Sequence, residues 1–161
     1  MKKWPARLAV LLTAALFAGC SSVPLKTPDE RISAKKFQWP VSGPVSSGFG
    51  YRSLGRHEGI DILAPVGTPV GASERGIVSY AGNAMRGYGN AVILDHGDGI
   101  RTLYGHLETI RVKSAEVVPA GAPIGTVGRT GNATTSHLHF ELRIDGDAVD
   151  PVGCLAGKSP P

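Results

Sequence analysis

The side chains of this chain best suited to chemistry sit in His137-Leu138-His139-Phe140-Glu141 and, eighty residues upstream, in His57-Glu58-Gly59-Ile60-Asp61. In a strand, successive side chains point to opposite faces, so His137 and His139 project together while Leu138, Phe140, Leu142 and Ile144 line the other face. Such a pair can converge on one metal ion. With His57 and Asp61 the chain offers three imidazoles and a carboxylate, donors of the kinds that bind Zn²⁺ and leave a coordination position open. That combination points to metal-assisted hydrolysis.

Neighbouring residues sharpen the reading. His57-Glu58 superficially matches the start of the His-Glu-x-x-His helix of other zinc proteases, where the glutamate is the base. Here the fourth position after His57 is Asp61, and Gly59 with nearby Pro65 argues against a helix, so Glu58 reads as a surface residue. Glu141 shares the histidine face; it either orients His139 through its second ring nitrogen or stands as an exposed strand carboxylate. His96, within Leu94-Asp95-His96-Gly97-Asp98-Gly99, reads as a turn residue.

Short apolar or alternating runs between turn signals must position these groups: 59–63, 69–72, 76–81, 91–95, 100–106, 108–112, 123–127 and 137–144. Strands punctuated by Gly, Pro, Asn and Asp predict an all-β fold, a single small domain of packed antiparallel sheets with a groove. Asp98-Gly99 and Asp145-Gly146 are expected to turn hairpins, since Asp-Gly suits positive φ. Alternation places Thr102, Tyr104 and His106 on one polar face. No long amphipathic helix is evident.

The N-terminus reads differently. Lys2, Lys3 and Arg7 precede an apolar run of eleven residues, Leu8 to Ala18, too short to span a bilayer. The run ends in Leu16-Phe17-Ala18-Gly19-Cys20, which resembles a bacterial lipobox, although Phe17 stands where an aliphatic residue is usual. Residues 1–19 are therefore expected to be a lipoprotein signal peptide and Cys20 the lipidated N-terminus. Residues 20–38 read as a flexible tether, 39–154 as the domain and 155–161 as a C-terminal tail. Lipidation of Cys20 is incompatible with a disulfide between the two cysteines, Cys20 and Cys154, which is the alternative reading of the pair.

Charge excludes one function class. Of the formal +4, removal of Lys2, Lys3 and Arg7 with the signal leaves +1, and from Trp39 onward ten Lys/Arg face eleven Asp/Glu. A nucleic-acid-binding domain carries a basic stripe, and none appears.

Taken in order, Gly48-Phe49-Gly50-Tyr51-Arg52, His57-Glu58-Gly59-Ile60-Asp61, Gly87-Tyr88-Gly89-Asn90, Tyr104-Gly105-His106-Leu107 and His137-Leu138-His139-Phe140-Glu141 resemble the lysostaphin-type, LytM-like zinc endopeptidases of bacterial peptidoglycan. The resemblance implies zinc held by His57, Asp61 and His139, with His106 and His137 as catalytic residues beside it. His137 is assigned as the base and His106 as the partner that orients water or stabilises the oxyanion. Tyr51 or Tyr104 would face the cleft, or else pack as an ordinary aromatic. Arg52 and Asn90 read as loop-fixing residues. Where the family often has a proline-containing turn before the second histidine pair, this chain has Thr134-Thr135-Ser136, which bears on specificity rather than on the ligands.

The expected function is hydrolysis of peptide cross-links in peptidoglycan by a Zn²⁺-dependent endopeptidase, lipid-anchored in the bacterial envelope and, in a Gram-negative cell, on the periplasmic face of the outer membrane. Its partners would be stem peptides or cross-bridges and, through the lipid, the membrane. The alternative is a noncatalytic relative whose groove binds and activates another wall hydrolase. A lipoyl-carrier-like β domain ranks last, since no lysine stands in a modification hairpin.

Overall fold

Runs rich in Val, Ile and Leu, broken every few residues by glycine, proline or Asp-Gly, favour short strands over helices. The computed structural model, which describes residues 28–52 and 55–156, has that character. One short helix, α1 (Pro28–Ser33), precedes β1 (Val45–Ser47), β2 (Gly50–Arg52), β3 (Gly55–His57), β4 (Ile60–Leu63), β5 (Pro69–Gly71) and β6 (Gly76–Gly82). Then follow β7 (Asn90–Asp95), β8 (Ile100–Ile110), β9 (Val117–Val118), β10 (Pro123–Val127), β11 (His137–Ile144) and β12 (Asp147–Val149). Ten strands form one sheet in the order β1-β4-β11-β8-β7-β6-β9, with β12 on β11 and β10 pairing both β8 and β5. Hairpin β2–β3 stands apart, and the pairing between strands is antiparallel throughout. The expected all-β domain is the observed one.

Both Asp-Gly pairs turn hairpins. Asp145 and Gly146, at φ 53° and 97°, make the two-residue connection from β11 to β12. Asp98 and Gly99 end the loop between β7 and β8. The core lies between the elements the sequence marked as apolar: Ile60, Ile62, Leu94, Ile100, Leu107, Ile124, Leu138, Phe140 and Leu142 are all buried.

Three expectations change. First, the runs 100–106 and 108–112 belong largely to one strand, β8, which continues to Ile110 through an irregularity. Asn90 of β7 pairs with Leu107 and Val92 with Tyr104, so β8 carries one extra residue at Gly105-His106, and His106 has φ 60°. This bulge reverses the alternation. Second, Tyr104 therefore does not share a face with His106. It is wholly buried in the core, where its hydroxyl accepts hydrogen bonds from the Ser73 amide (2.7 Å) and Thr102 Oγ1 (3.0 Å).

Third, the folded unit exceeds 39–154 at both ends. Phe37 is buried in the core and bridges to Leu155, also buried. Arg31 pairs with Asp145 at 2.6 Å, and Lys35 Nζ donates to the His96 carbonyl at 2.7 Å. The tether assigned to 20–38 is thus folded against the domain in its last part, because Phe37 has apolar surface to bury. The expected signal peptide and Cys20 lie outside the described residues.

Candidate metal centre

Strand register assembles the cluster. β11 runs between β4 and β8, with His139 opposite Asp61 on one side and Gly105 on the other. His57 ends β3, and the turn to β4 presses on β11 at Gly59, where an added Cβ would lie 2.3 Å from the Phe140 carbonyl oxygen. Only glycine permits that approach. As a result His57 Nε2, Asp61 Oδ1 and His139 Nδ1 converge: 3.2 Å from His57 to Asp61, 3.1 Å from His57 to His139, and 2.9 Å from His139 to Asp61.

The outer hydrogen bonds decide what those atoms offer. His57 Nδ1 donates to the Gly48 carbonyl at 2.8 Å, and His139 Nε2 donates to Glu141 Oε1 at 2.9 Å. Each ring therefore turns an unprotonated nitrogen toward the other and toward a carboxylate oxygen. Three lone pairs facing one another at such distances require a positive charge among them. Two neutral imidazoles and one carboxylate suit Zn²⁺, so the donor set fits the metal.

In the metal-free protein a proton on His139 Nδ1, donated to Asp61, can supply that charge. Burial alone would lower the pKa of His139, but hydrogen bonds to Asp61 and Glu141 outweigh it and hold the ring above its ordinary value. Burial opposes ionisation of Asp61 too, yet the hydrogen bond and charge of His139, with His57 and His137, keep its carboxyl below the usual range.

Glu141 is the hub behind His139. It is wholly inaccessible, and Tyr88 Oη donates to Oε1 at 2.7 Å while Arg143 Nε donates to Oε2 at 2.6 Å. Arg143 also reaches the Gly146 carbonyl at 3.0 Å and Glu58 Oε2 at 2.5 Å. Burial raises the Glu141 pKa, but the three donors His139, Arg143 and Tyr88 outweigh it and keep the group ionised. Of the two sequence readings of Glu141, the orienting one matches the geometry. Glu58 stays partly exposed, as expected for a surface residue.

His106 and His137 stand beside the cluster, their ring centroids 4.8 Å apart. His106 Nδ1 donates to the Thr130 carbonyl and His137 Nδ1 to that of Thr135, each at 2.9 Å, leaving Nε2 of both as acceptors. His137 Nε2 lies 3.6 Å from Asp61 Oδ1. Burial and the neighbouring His137 push the His106 pKa down to about 4, so this ring is neutral near pH 7.

A cavity of about 550 Å³ opens over these residues, lined also by Tyr88, Arg52, Arg56, Arg86 and the 132–134 loop. Tyr51 is 89% exposed and does not line it. Tyr88 holds the place within the site that sequence reasoning offered to Tyr51 or Tyr104. Asn90 has the expected structural role, donating to the carbonyls of Leu107 and Glu108. His96 is a buried structural histidine bonded to the Arg75 carbonyl and Thr102 Oγ1, each at 2.8 Å. The missed residues are Tyr88 and Arg143. Arg143 was findable, because the alternation that carries His137, His139 and Glu141 places it on the same face.

Comparison with known proteins gives one family. The model of peptidase family M23 matches residues 55–151. The DD-carboxypeptidase/endopeptidase Mpg of Neisseria gonorrhoeae is 46% identical over 114 residues, 67% of this chain and 26% of that protein. The murein hydrolase activator NlpD of Escherichia coli is 43% identical over 119 residues, 74% of this chain and 31% of that one. The chain thus spans under a third of the length of either relative. Among solved structures, the antimicrobial peptidase lysostaphin from Staphylococcus simulans superposes with a TM-score of 0.69 at 36% identity, covering 75% of this chain and 52% of that one.

Proposed function

The chain belongs to peptidase family M23, and on that premise we propose that it is a zinc-dependent endopeptidase that hydrolyses the peptide cross-links of bacterial peptidoglycan. The observation that supports the reading is the pair of imidazoles, His106 and His137, standing beside three converging donors: residue types for a ligand set and for an acid–base set lie together. In this reading His57, Asp61 and His139 hold the ion. Zinc held there supplies a concentrated positive charge that acidifies water and polarises a scissile carbonyl.

The chain's own residues supply the rest. Gly48 and Glu141 fix the two ligand rings in the tautomers that face the cluster. His137 Nε2, opposite the nitrogen bonded to Thr135, takes a proton from the attacking water and passes it to the leaving amine. His106, held by Thr130 and kept neutral by burial, orients the water or donates to the developing oxyanion once protonated. Residues 132–134 and the arginines of the cavity form the walls against which an extended peptide lies.

The second reading is a noncatalytic activator of another wall hydrolase, favoured by the activator name of the NlpD relative. The filled His106 and His137 positions weigh against it. Anchoring through lipid on Cys20 would place the enzyme in the envelope, where a tether raises its effective concentration at an insoluble substrate. The test of the main reading is incubation of the zinc-loaded protein with purified peptidoglycan and mass analysis of the soluble fragments. Products with new amine and carboxyl ends at a cross-link are expected; unchanged peptidoglycan, with a second wall hydrolase digesting it faster in the presence of the protein than alone, would establish the activator instead.

A further inference from the structure

The cavity over the cluster carries a charge pattern that hydrolysis alone does not use. Three exposed arginines line it: Arg52 and Arg56 from hairpin β2–β3, and Arg86 from the segment between β6 and β7. The cavity's carboxylates are committed elsewhere. Glu141 and Glu58 are both held by Arg143, and Asp61 belongs to the donor cluster. Among the described residues neither Arg56 nor Arg86 has a carboxylate within 4.0 Å, and Arg52 approaches only Asp61 Oδ2, at 3.8 Å.

The positive charge is local, since from Trp39 onward acidic residues outnumber basic ones by one. Two of the guanidinium groups are also held in place. Arg56 lies 5.6 Å from the centre of the Phe49 ring and donates to the Ala148 carbonyl at 3.4 Å; Arg52 donates to Ser47 Oγ at 2.6 Å. Such contacts restrain a guanidinium without neutralising it, and leave N–H groups in the planar fork that matches a carboxylate. Among the described residues Arg86 has no hydrogen-bond or ion-pair partner that would compete.

We propose that Arg56 and Arg86, with Arg52 nearer the donor cluster, form carboxylate-binding subsites that make the groove selective for wall peptides bearing free carboxylates near the bond to be cut. The inference rests on the groove being the peptide-binding site. Amidation of those carboxylates removes the charge while keeping the shape, so it separates the two contributions. Binding of the free acid also weakens with salt, because exposed charges are screened beyond about 8 Å at physiological ionic strength.

The experiment measures binding, by fluorescence anisotropy, of a labelled cross-linked stem peptide with free carboxylates and of its carboxamide twin to the zinc-loaded full chain, with cleavage followed in parallel. The free acid is expected to bind at least about tenfold more tightly, two charge-assisted contacts each contributing about as much as a strong hydrogen bond. The doubly substituted Arg56→Gln, Arg86→Gln protein, with zinc content as the control and Arg52 left in place, should lose most of the discrimination between the two peptides. Equal affinity of the wild type for the twins, or undiminished discrimination by the double variant, would overturn the proposal. Poly-aspartate binding as tightly as the free-acid stem peptide would also overturn it, assigning the groove to an acidic segment of a partner protein. Preferential binding of the free acid without cleavage would uphold the subsites and remove the hydrolytic reading.

Discussion

Glu141 Oε1 accepts a hydrogen bond from His139 Nε2 at 2.9 Å, from a position with no solvent access at all. The buried anion sets which nitrogen of His139 faces Asp61 and makes that nitrogen a better donor. Arg143 and Tyr88 make the anion tolerable there. A change at Glu141 should therefore be felt at the proposed metal site. Glu141→Ala is expected to lower zinc affinity about 10–100-fold, whereas Glu141→Gln, which keeps an acceptor oxygen, should lose less. Competition with a chelator of known affinity measures both, and equal affinity in Glu141→Ala and wild type would contradict this role.

His57→Ala, Asp61→Ala and His139→Ala each remove one of three proposed protein ligands. All three should lower zinc occupancy when metal is limiting, and should remove most of the gain in thermal stability that added zinc gives the wild type. Metal analysis and melting with and without zinc check this. Unchanged occupancy in all three would overturn the ligand assignment.

The His106 pKa, depressed to about 4, has a consequence for the metal-free protein. An unfolded histidine takes up its proton near pH 6.5. Between there and pH 4 the unfolded chain binds a proton that the folded His106 refuses, so stability falls as pH falls through this window. His96, depressed by burial, acts in the same direction, while His139, raised, opposes it. The difference between proteins isolates His106. His106→Asn, chosen because asparagine tolerates the positive φ of this position, should lose less stability than wild type between pH 7 and pH 5. Urea midpoints at the two pH values measure it, and parallel losses would contradict the account.

Much of this site was legible because it depends on strand alternation. His137 and His139 on one face, with Leu138, Phe140 and Leu142 in the core on the other, follow from period two alone. That rule failed at Gly105-His106, where one inserted residue and a positive φ re-aim His106 and leave Tyr104 in the core. A bulge has no reliable local signature in a strand that contains glycine. The docking of Phe37 was hidden for another reason. Its partner, Leu155, lies at the far end of the chain, and no periodicity within 20–38 reveals a contact that distant.

Cys20→Ser should release the protein from membranes while leaving the domain folded, given the short apolar run that ends at Gly19-Cys20. Fractionation together with labelled fatty acid provides the check. Absence of label in the wild type would contradict lipid anchoring.

The central claim is that ligands and acid–base residues are distinct sets, and single-turnover cleavage of a cross-linked wall peptide, with zinc stoichiometry measured on the same samples, tests it most directly. His137→Ala and His106→Asn are expected to retain most of their zinc and to cleave about 10²–10⁴-fold more slowly than wild type, with His137→Ala at least as impaired as His106→Asn. Near-normal rates in both zinc-loaded variants would contradict the account.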